Sequence, residues 1–370
     1  MAQSPTLLKA GDYALVRASL ALRPLWRSLG ELEHELYAAR LARIAIDRPV
    51  FVTGLARSGT TMMLTVLSQA EGVATHRYRD FPFLFAPLAW NGFQEHMPRH
   101  AGVAVERPHR DRIRITKDSP EAFEEPLWQA FFPWLHDPAR CHVLDAATRH
   151  AGFEAFFASH LRKILWLRKG RRYVSKGNYN VARIAYLARV FPDARFVVPV
   201  REPVSHVRSL VEQHALFCRY GADDPRVPRY LAAAGHYEFG PQRRPINLDR
   251  ARLGTIEAAW RAGDDWRGYA RQWAEVYAHV ARLRADPALA RRIRVVRYED
   301  ACARPQETIA DLLAFTGLED GQGRVVAAAG SLSAPPEKPL DPAAATVVWS
   351  EVREVAALYD YQAPPLAKAA

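Results

Sequence analysis

Four short runs of β-type residues, each followed by an apolar stretch of helical period, restrict this chain to a narrow set of folds. Pro49-Val50-Phe51-Val52-Thr53-Gly54 precedes Thr60 to Ala70, and Tyr173-Val174-Ser175 precedes Val181 to Val190. Arg195-Phe196-Val197-Val198-Pro199-Val200 precedes Val204 to Phe217, and Ile293-Arg294-Val295-Val296-Arg297-Tyr298 precedes Gln306 to Phe315. Strands alternating with helices of about 10–15 residues build βαβ units around a parallel sheet. The mostly apolar strands fit burial on both faces. The pattern predicts an α/β, three-layer fold with a central, mostly parallel sheet.

Inserts separate these units. Residues 80–150 are rich in proline and carry Trp90, Trp128 and Trp134, with a helix expected near Glu121–Phe132. Residues 219–250 are rich in Pro, Gly and Arg and read as a surface excursion or lid. Residues 254–285 read as one long helix whose Trp260, Trp266, Tyr269, Trp273 and Tyr277 recur near helical spacing, a stripe suited to packing on the sheet. Ser333 to Pro342 is proline-rich and irregular. No internal repeat is visible. The chain therefore reads as a single domain over residues 1–370, with helical inserts near 80–150 and 219–290.

Hydrophobic residues at 49% and charged residues at 25% allow a large core and leave little room for disorder away from the ends. The net charge of +11, carried mainly by arginine, favours anionic partners such as nucleotides, acidic substrates or an anionic membrane surface. No helix-turn-helix, zinc-finger or RNA-binding pattern accompanies it, so nucleic acid is not an expected partner. Cys141, Cys218 and Cys302 lie far apart with no CxxC, which argues against a disulfide framework or a zinc site. No apolar run reaches the roughly 18 residues of a membrane span, and Met1 to Lys9 has no secretory pattern. A cytoplasmic location is expected, peripheral membrane contact stays open, and the sequence leaves oligomeric state undetermined.

The strongest local signal is Thr53-Gly54-Leu55-Ala56-Arg57-Ser58-Gly59-Thr60-Thr61, after the first strand and opening a helix. Unpaired N–H groups and the helix dipole make such a turn an anion cradle. Glycines at 54 and 59 let the backbone turn sharply near an anion, and Ser58, Thr60 and Thr61 can add hydroxyl donors. The glycine spacing equals that of a nucleoside-triphosphate P-loop, so the fold is expected to be P-loop-like. Thr60 occupies the lysine slot, however, and the cation stands upstream at Arg57. That weakens a kinase or NTPase reading. It suits a donor carrying one phosphate and a terminal sulfate, without an obligatory metal.

Gly-x-x-Arg-Ser-Gly-Thr-Thr after a strand resembles the 5′-phosphosulfate loop of sulfotransferases that use 3′-phosphoadenosine-5′-phosphosulfate (PAPS), particularly the branch of tyrosylprotein and many bacterial enzymes. Cytosolic members place a lysine where Arg57 stands; arginine binds as a planar fork and does not donate a proton near neutral pH. Pro199-Val200-Arg201-Glu202-Pro203 leads into a helix with Ser209 eight residues after Arg201, a spacing that lets both side chains converge on one anion. In the resembled family such a pair holds the 3′-phosphate. The competing reading pairs Arg201 with Glu202. Val296-Arg297-Tyr298-Glu299-Asp300 resembles a strand end whose tyrosine lies beside the adenine, while a core tyrosine is the alternative for Tyr298. Ser175-Lys176-Gly177-Asn178 resembles the segment that supplies a catalytic lysine; the alternative for Lys176 is a salt bridge.

The resemblance implies in-line transfer of a sulfuryl group from PAPS to an acceptor hydroxyl, of a glycan or small metabolite by preference. Arg57 and Lys176 would meet the charge on the leaving oxygen, and no metal is expected. An acceptor hydroxyl also needs a general base. In the tyrosylprotein branch a glutamate lies some twenty residues beyond the loop, a register that falls here on Tyr78. Asp80 is the nearest acid and is taken as the base, with His76 next. Asp80 paired to Arg77 or Arg79 is the competing reading, and Asp118, Glu121, Glu124 and Glu125 form a second acidic cluster. Two other functions remain open at this level: a nucleoside-phosphate kinase or NTPase, and a non-catalytic nucleotide-binding protein.

Overall fold

The computed structural model describes residues 8–96, 104–111, 113–330, 332, 339 and 341–363. Strand β1 is Val50–Val52, every residue of it buried. Its neighbours are β5 (Arg172–Lys176) and β6 (Arg195–Val200), both parallel to it. Outside these lie β2 (Val73–Ala74) on β5 and β7 (Ile293–Arg297) on β6, also parallel, giving the order β2-β5-β1-β6-β7. A separate antiparallel hairpin pairs β3 (Val105–Glu106) with β4 (Arg114–Ile115).

Side chains alternate across the sheet and feed two cores. Phe51 points into one with Phe196, on which it stacks at 5.7 Å, and with Tyr173 and Phe191. Val50, Val52, Val174 and Val197 point into the other, against Met63, Leu64, Ile309 and Leu312. Burying one such side chain is worth about 1.5–3 kcal/mol. The second core is closed by helices Thr60–Leu67 and Pro305–Thr316, the first by Ala151–Leu167, Pro203–Asp223 and Asp265–Ala285. This is the three-layer α/β fold that the strand–helix alternation predicts.

Several expectations are corrected. The stretch 254–285 breaks at Gly263, whose φ is +78°, into Thr255–Arg261 and Asp265–Ala285; Asp264 caps the second helix at Arg267 N. Its Trp260, Tyr269, Trp273 and Tyr277 are core residues, as the stripe predicts. The stretch 219–250 is no surface excursion in its second half. Tyr237, Glu238, Phe239, Ile246, Asn247 and Leu248 are buried, and Asn247 donates to the carbonyls of Pro138 and Arg140. The helix near Glu121–Phe132 begins later, at Glu125–Phe131. Strand β2 is two residues long, too short for any periodicity to reveal. Most of Ser333 to Pro342 lies outside the described residues. Among the described residues, no helix is long and apolar enough to cross a membrane.

Candidate active site

The carboxyl ends of β1, β5, β6 and β7 open on one edge of the sheet, where parallel α/β sheets place their ligands. The loop leaving β1 alternates into left-handed backbone, with φ of +136° at Gly54, +70° at Arg57 and +103° at Gly59. A Cβ on Gly59 would lie 2.8 Å from Tyr298 Cδ2, so only glycine fits. Arg57 lacks that freedom, and a non-glycine residue there costs about 1–3 kcal/mol unless its surroundings impose the conformation. They do. His206 Nε2–H donates to Ala56 O at 2.8 Å, and Leu55 O accepts from both the N–H and the hydroxyl of Ser58, at 3.3 and 2.8 Å. Burial pushes the His206 imidazole down to about 3, so it is neutral and its Nε2 carries the proton. The N–H groups of Gly59, Thr60, Thr61 and Met62 have no acceptor among the described residues.

Ser58 therefore differs from the expectation of a hydroxyl donor. Its side chain is fully buried and spent on Leu55, bracing the loop from behind. Thr60 and Thr61 face neighbours instead: Thr60 Oγ1 donates to Asn178 Oδ1 at 3.3 Å, and Thr61 Oγ1 accepts from Arg107 Nη1 at 3.3 Å.

The end of β6 meets this loop. Glu202 caps the helix Pro203–Asp223, its two oxygens accepting from Val204 N and Ser205 N at 2.9 and 2.7 Å. That commitment removes the Arg201–Glu202 pairing weighed from the sequence. Arg201 lies over the Tyr298 ring at 5.1 Å and reaches Arg57 O at 3.4 Å. Arg57 Nε donates to Ser209 Oγ at 3.2 Å across 152 residues of chain. Arg57, Arg201, Ser209 and Tyr298 thus share one location, with Tyr298 buried against Gly59.

Lys176 ends β5 and is buried, its Nζ 3.6 Å from Glu121 Oε1. Glu121 also accepts from the Tyr78 hydroxyl in a short hydrogen bond. Burial works to raise the Glu121 carboxyl, but the charges of Lys176, Arg107 and His236 prevail and hold it at about 2. Burial and the adjacent Glu121 charge raise Tyr78 well above its ordinary range, so it stays a neutral donor. The neighbouring acids are structural. Glu124 accepts from Tyr173 Oη at 2.6 Å and Asn180 Nδ2 at 3.0 Å, while Glu125 binds Arg183 through both oxygens at 2.7 and 2.8 Å. Asp118 sits exposed between Arg77 and Arg79.

Asp80 and His76, the bases expected from the sequence, lie in a different cluster. Asp80 is 1% exposed and accepts from Arg168, from Asn91 Nδ2 at 3.2 Å and from Arg77 N at 2.8 Å. Burial opposes ionisation there, yet the His76 hydrogen bond and the Arg168 charge keep the carboxyl below its usual range. His76 stacks on His160 at 5.0 Å, with Nε2 atoms 3.1 Å apart. None of these partners belongs to the anion loop. Neither Arg77 nor Arg79 makes a side-chain pair with Asp80; both go to Asp118.

Four side chains absent from the sequence reading border the site. Asp111 bridges Arg57 and Arg107, and His236 Nδ1 lies 3.5 Å from Glu238, which accepts from Asn178 Nδ2 at 2.7 Å. The available signal for the first pair is the four-residue spacing of Arg107 and Asp111; nothing local marks His236. Among the described residues no cluster of His, Cys, Asp and Glu could hold a metal ion.

No curated protein sequence matches the chain. Among solved structures, the sulfotransferase STF9 from Mycobacterium avium superposes with a TM-score of 0.50 at 15% identity, over 90% of this chain and 82% of that one. STF1 from Mycobacterium tuberculosis gives a TM-score of 0.46 at 20% identity, over 82% and 76%. The first likeness speaks for the fold alone. A sequence profile described as the sulfotransferase family matches residues 49–237, just over half of the chain. That span holds the anion loop, Lys176, Arg201 and Ser209, and with it the chain belongs to the sulfotransferase family.

Proposed function

We propose that this sulfotransferase takes its sulfuryl group from PAPS and delivers it to an acceptor hydroxyl, with a glycan or small metabolite favoured. The observation that carries the donor assignment is the hydrogen bond from Arg57 to Ser209, which joins the two anion motifs in one place. The residues present fit such a donor. Among the described residues, four N–H groups at 59–62 lack acceptors, and Arg57 and Arg201 stand around them. The N–H groups of Gly59 to Met62 and the Thr61 hydroxyl would receive the 5′-phosphosulfate, Arg201 and Ser209 the 3′-phosphate, and Tyr298 would flank the adenine.

When bound, the donor supplies an activated S–O bond whose cleavage leaves negative charge on the bridging oxygen. In this reading Arg57 and Lys176 are the cations that would meet that charge. Glu121 takes the role of general base in place of Asp80. It is ionised, and Lys176 depresses its basicity in the free enzyme. Drawing Lys176 toward the donor's anion would relieve that depression and strengthen Glu121 as a proton acceptor. Tyr78, the position where the tyrosylprotein register falls, donates to Glu121 and orients it.

Calorimetry with adenosine 3′,5′-bisphosphate, ATP and GTP tests the donor. Bisphosphate binding with neither triphosphate bound is expected, and preference for a triphosphate would overturn the reading. A screen of hydroxylated acceptors with radiolabelled PAPS tests the transfer. Bisphosphate binding with no labelled product would leave a nucleotide-binding protein.

A further inference from the structure

The turn between β3 and β4 brings a carboxylate into the anion site. Asp111 Oδ2 lies 2.6 Å from Arg57 Nη1, and its two oxygens accept from Arg107 Nε at 2.9 and 3.1 Å. Arg107 Nη2 closes a further short bond to the same carboxylate, while its Nη1 reaches Thr61. Asp111 thus sits between two guanidinium forks that also reach the hydroxyls of Thr61 and Ser209. Carboxylate, phosphate and sulfate oxygens all satisfy an arginine fork in the same way.

Charge at this place is unbalanced. The Arg57 guanidinium feels burial first, then the attraction of Asp111, then repulsion from Arg107 and Arg201. Three cations surround Asp111, the charge of Glu121 also bears on Arg107, and among the described residues Arg201 forms no ion pair. The turn itself is anchored: His109 packs on Phe217 at 5.1 Å, and Tyr220 Oη donates to Pro108 O at 3.3 Å. Removing the carboxylate from between the forks therefore needs a rotation of one short side chain, with the backbone in place.

We propose that Arg107 is a further cation of the donor-binding clamp and that Asp111 is a resident carboxylate holding the donor's place in the free enzyme. The inference rests on the donor reading above and adds two residues to that site. Arrival of a nucleotide bearing several negative charges exchanges one monoanion for a stronger partner of the same forks. In its absence Asp111 keeps Arg57 and Arg107 from repelling one another.

The test is calorimetry with adenosine 3′,5′-bisphosphate on Asp111→Asn and Arg107→Gln, with melting temperatures to establish folding. Asp111→Asn should bind the bisphosphate about tenfold tighter than the parent, and Arg107→Gln about tenfold or more weaker. Equal or weaker binding by a folded Asp111→Asn would overturn the proposal, since Asp111 would then merely orient Arg107. If Asp111→Asn does not fold, Arg107→Gln decides: unchanged affinity refutes the clamp. Inorganic sulfate, read by its shift of the melting temperature, separates this inference from the donor reading. Failure of the nucleotide to bind any form, with sulfate stabilising Asp111→Asn more than the parent, removes PAPS and keeps the clamp. Bisphosphate binding unaffected by either substitution removes the clamp and keeps PAPS.

Discussion

Replacing Glu121 by glutamine removes the proton acceptor while keeping the shape and the hydrogen bond from Tyr78. Loss of a positioned general base lowers kcat by about 10²–10⁴, or about 3–5 kcal/mol on the barrier. The same change leaves buried Lys176 without its carboxylate. Glu121 is held at about 2 against an ordinary 4.5, a depression worth about 3 kcal/mol of folding stability. The sign follows from the lowered folded value. The contribution is complete above pH 4.5, the unfolded value, and is lost as pH falls toward 2. Glu121→Gln should therefore melt below the parent at pH 7, with the gap closing as pH falls from about 4.5 to 2. Radiolabelled sulfuryl transfer at saturating donor measures kcat, and calorimetry with the bisphosphate checks that the donor site survives. A folded Glu121→Gln variant within about threefold of the parent kcat would refute Glu121 as the base.

Asp80→Asn is expected to act on stability alone, costing about 3–5 kcal/mol because Arg168 loses its buried partner, with kcat of the folded fraction preserved; thermal melting beside the transfer assay separates the two. Arg201→Gln should weaken adenosine 3′,5′-bisphosphate by about tenfold or more while leaving AMP, which lacks the 3′-phosphate, nearly unaffected in calorimetry. Gly59→Ala forces a Cβ to 2.8 Å from the Tyr298 ring on left-handed backbone, so bisphosphate binding should fall sharply in titration. Acid unfolding followed by circular dichroism should set in between about pH 4.5 and 2, where Glu121, Glu125 and Glu238, all held at about 2, take up protons.

The proposed donor side of the site was legible because its residues are local. Gly54, Arg57, Gly59, Thr60 and Thr61 lie within one turn, and Arg201 at the end of β6 stands eight residues before Ser209 on the following helix, so each motif shows in its spacing and the resemblance joins the two. The acceptor side was not. Lys176 and Glu121 meet through an insert that no period describes, and the sequence put Asp80 ahead of the acidic cluster that contains Glu121. Both are buried, and what separates them is the partner, Arg168 for Asp80 and Lys176 for Glu121, which only the fold reveals. Four strands of the parallel sheet were readable as apolar runs, though not their order, whereas the two-residue β2 and the hairpin β3–β4 carry too few residues to leave a pattern. Asp111 escaped notice for the same reason: its partners are Arg107 and, 54 positions away, Arg57.

The acids at 124 and 125 have a consequence for how such a protein can diversify. Through Tyr173, Asn180 and Arg183 they fasten their segment to the β5 strand and the turn that follows it. Glu121, three residues before Glu124, is thereby held beside Lys176 through side chains outside residues 81–96. Substitutions in residues 81–96 would then leave the Glu121–Lys176 pair in place, and with it the proposed proton acceptor beside its proposed cation.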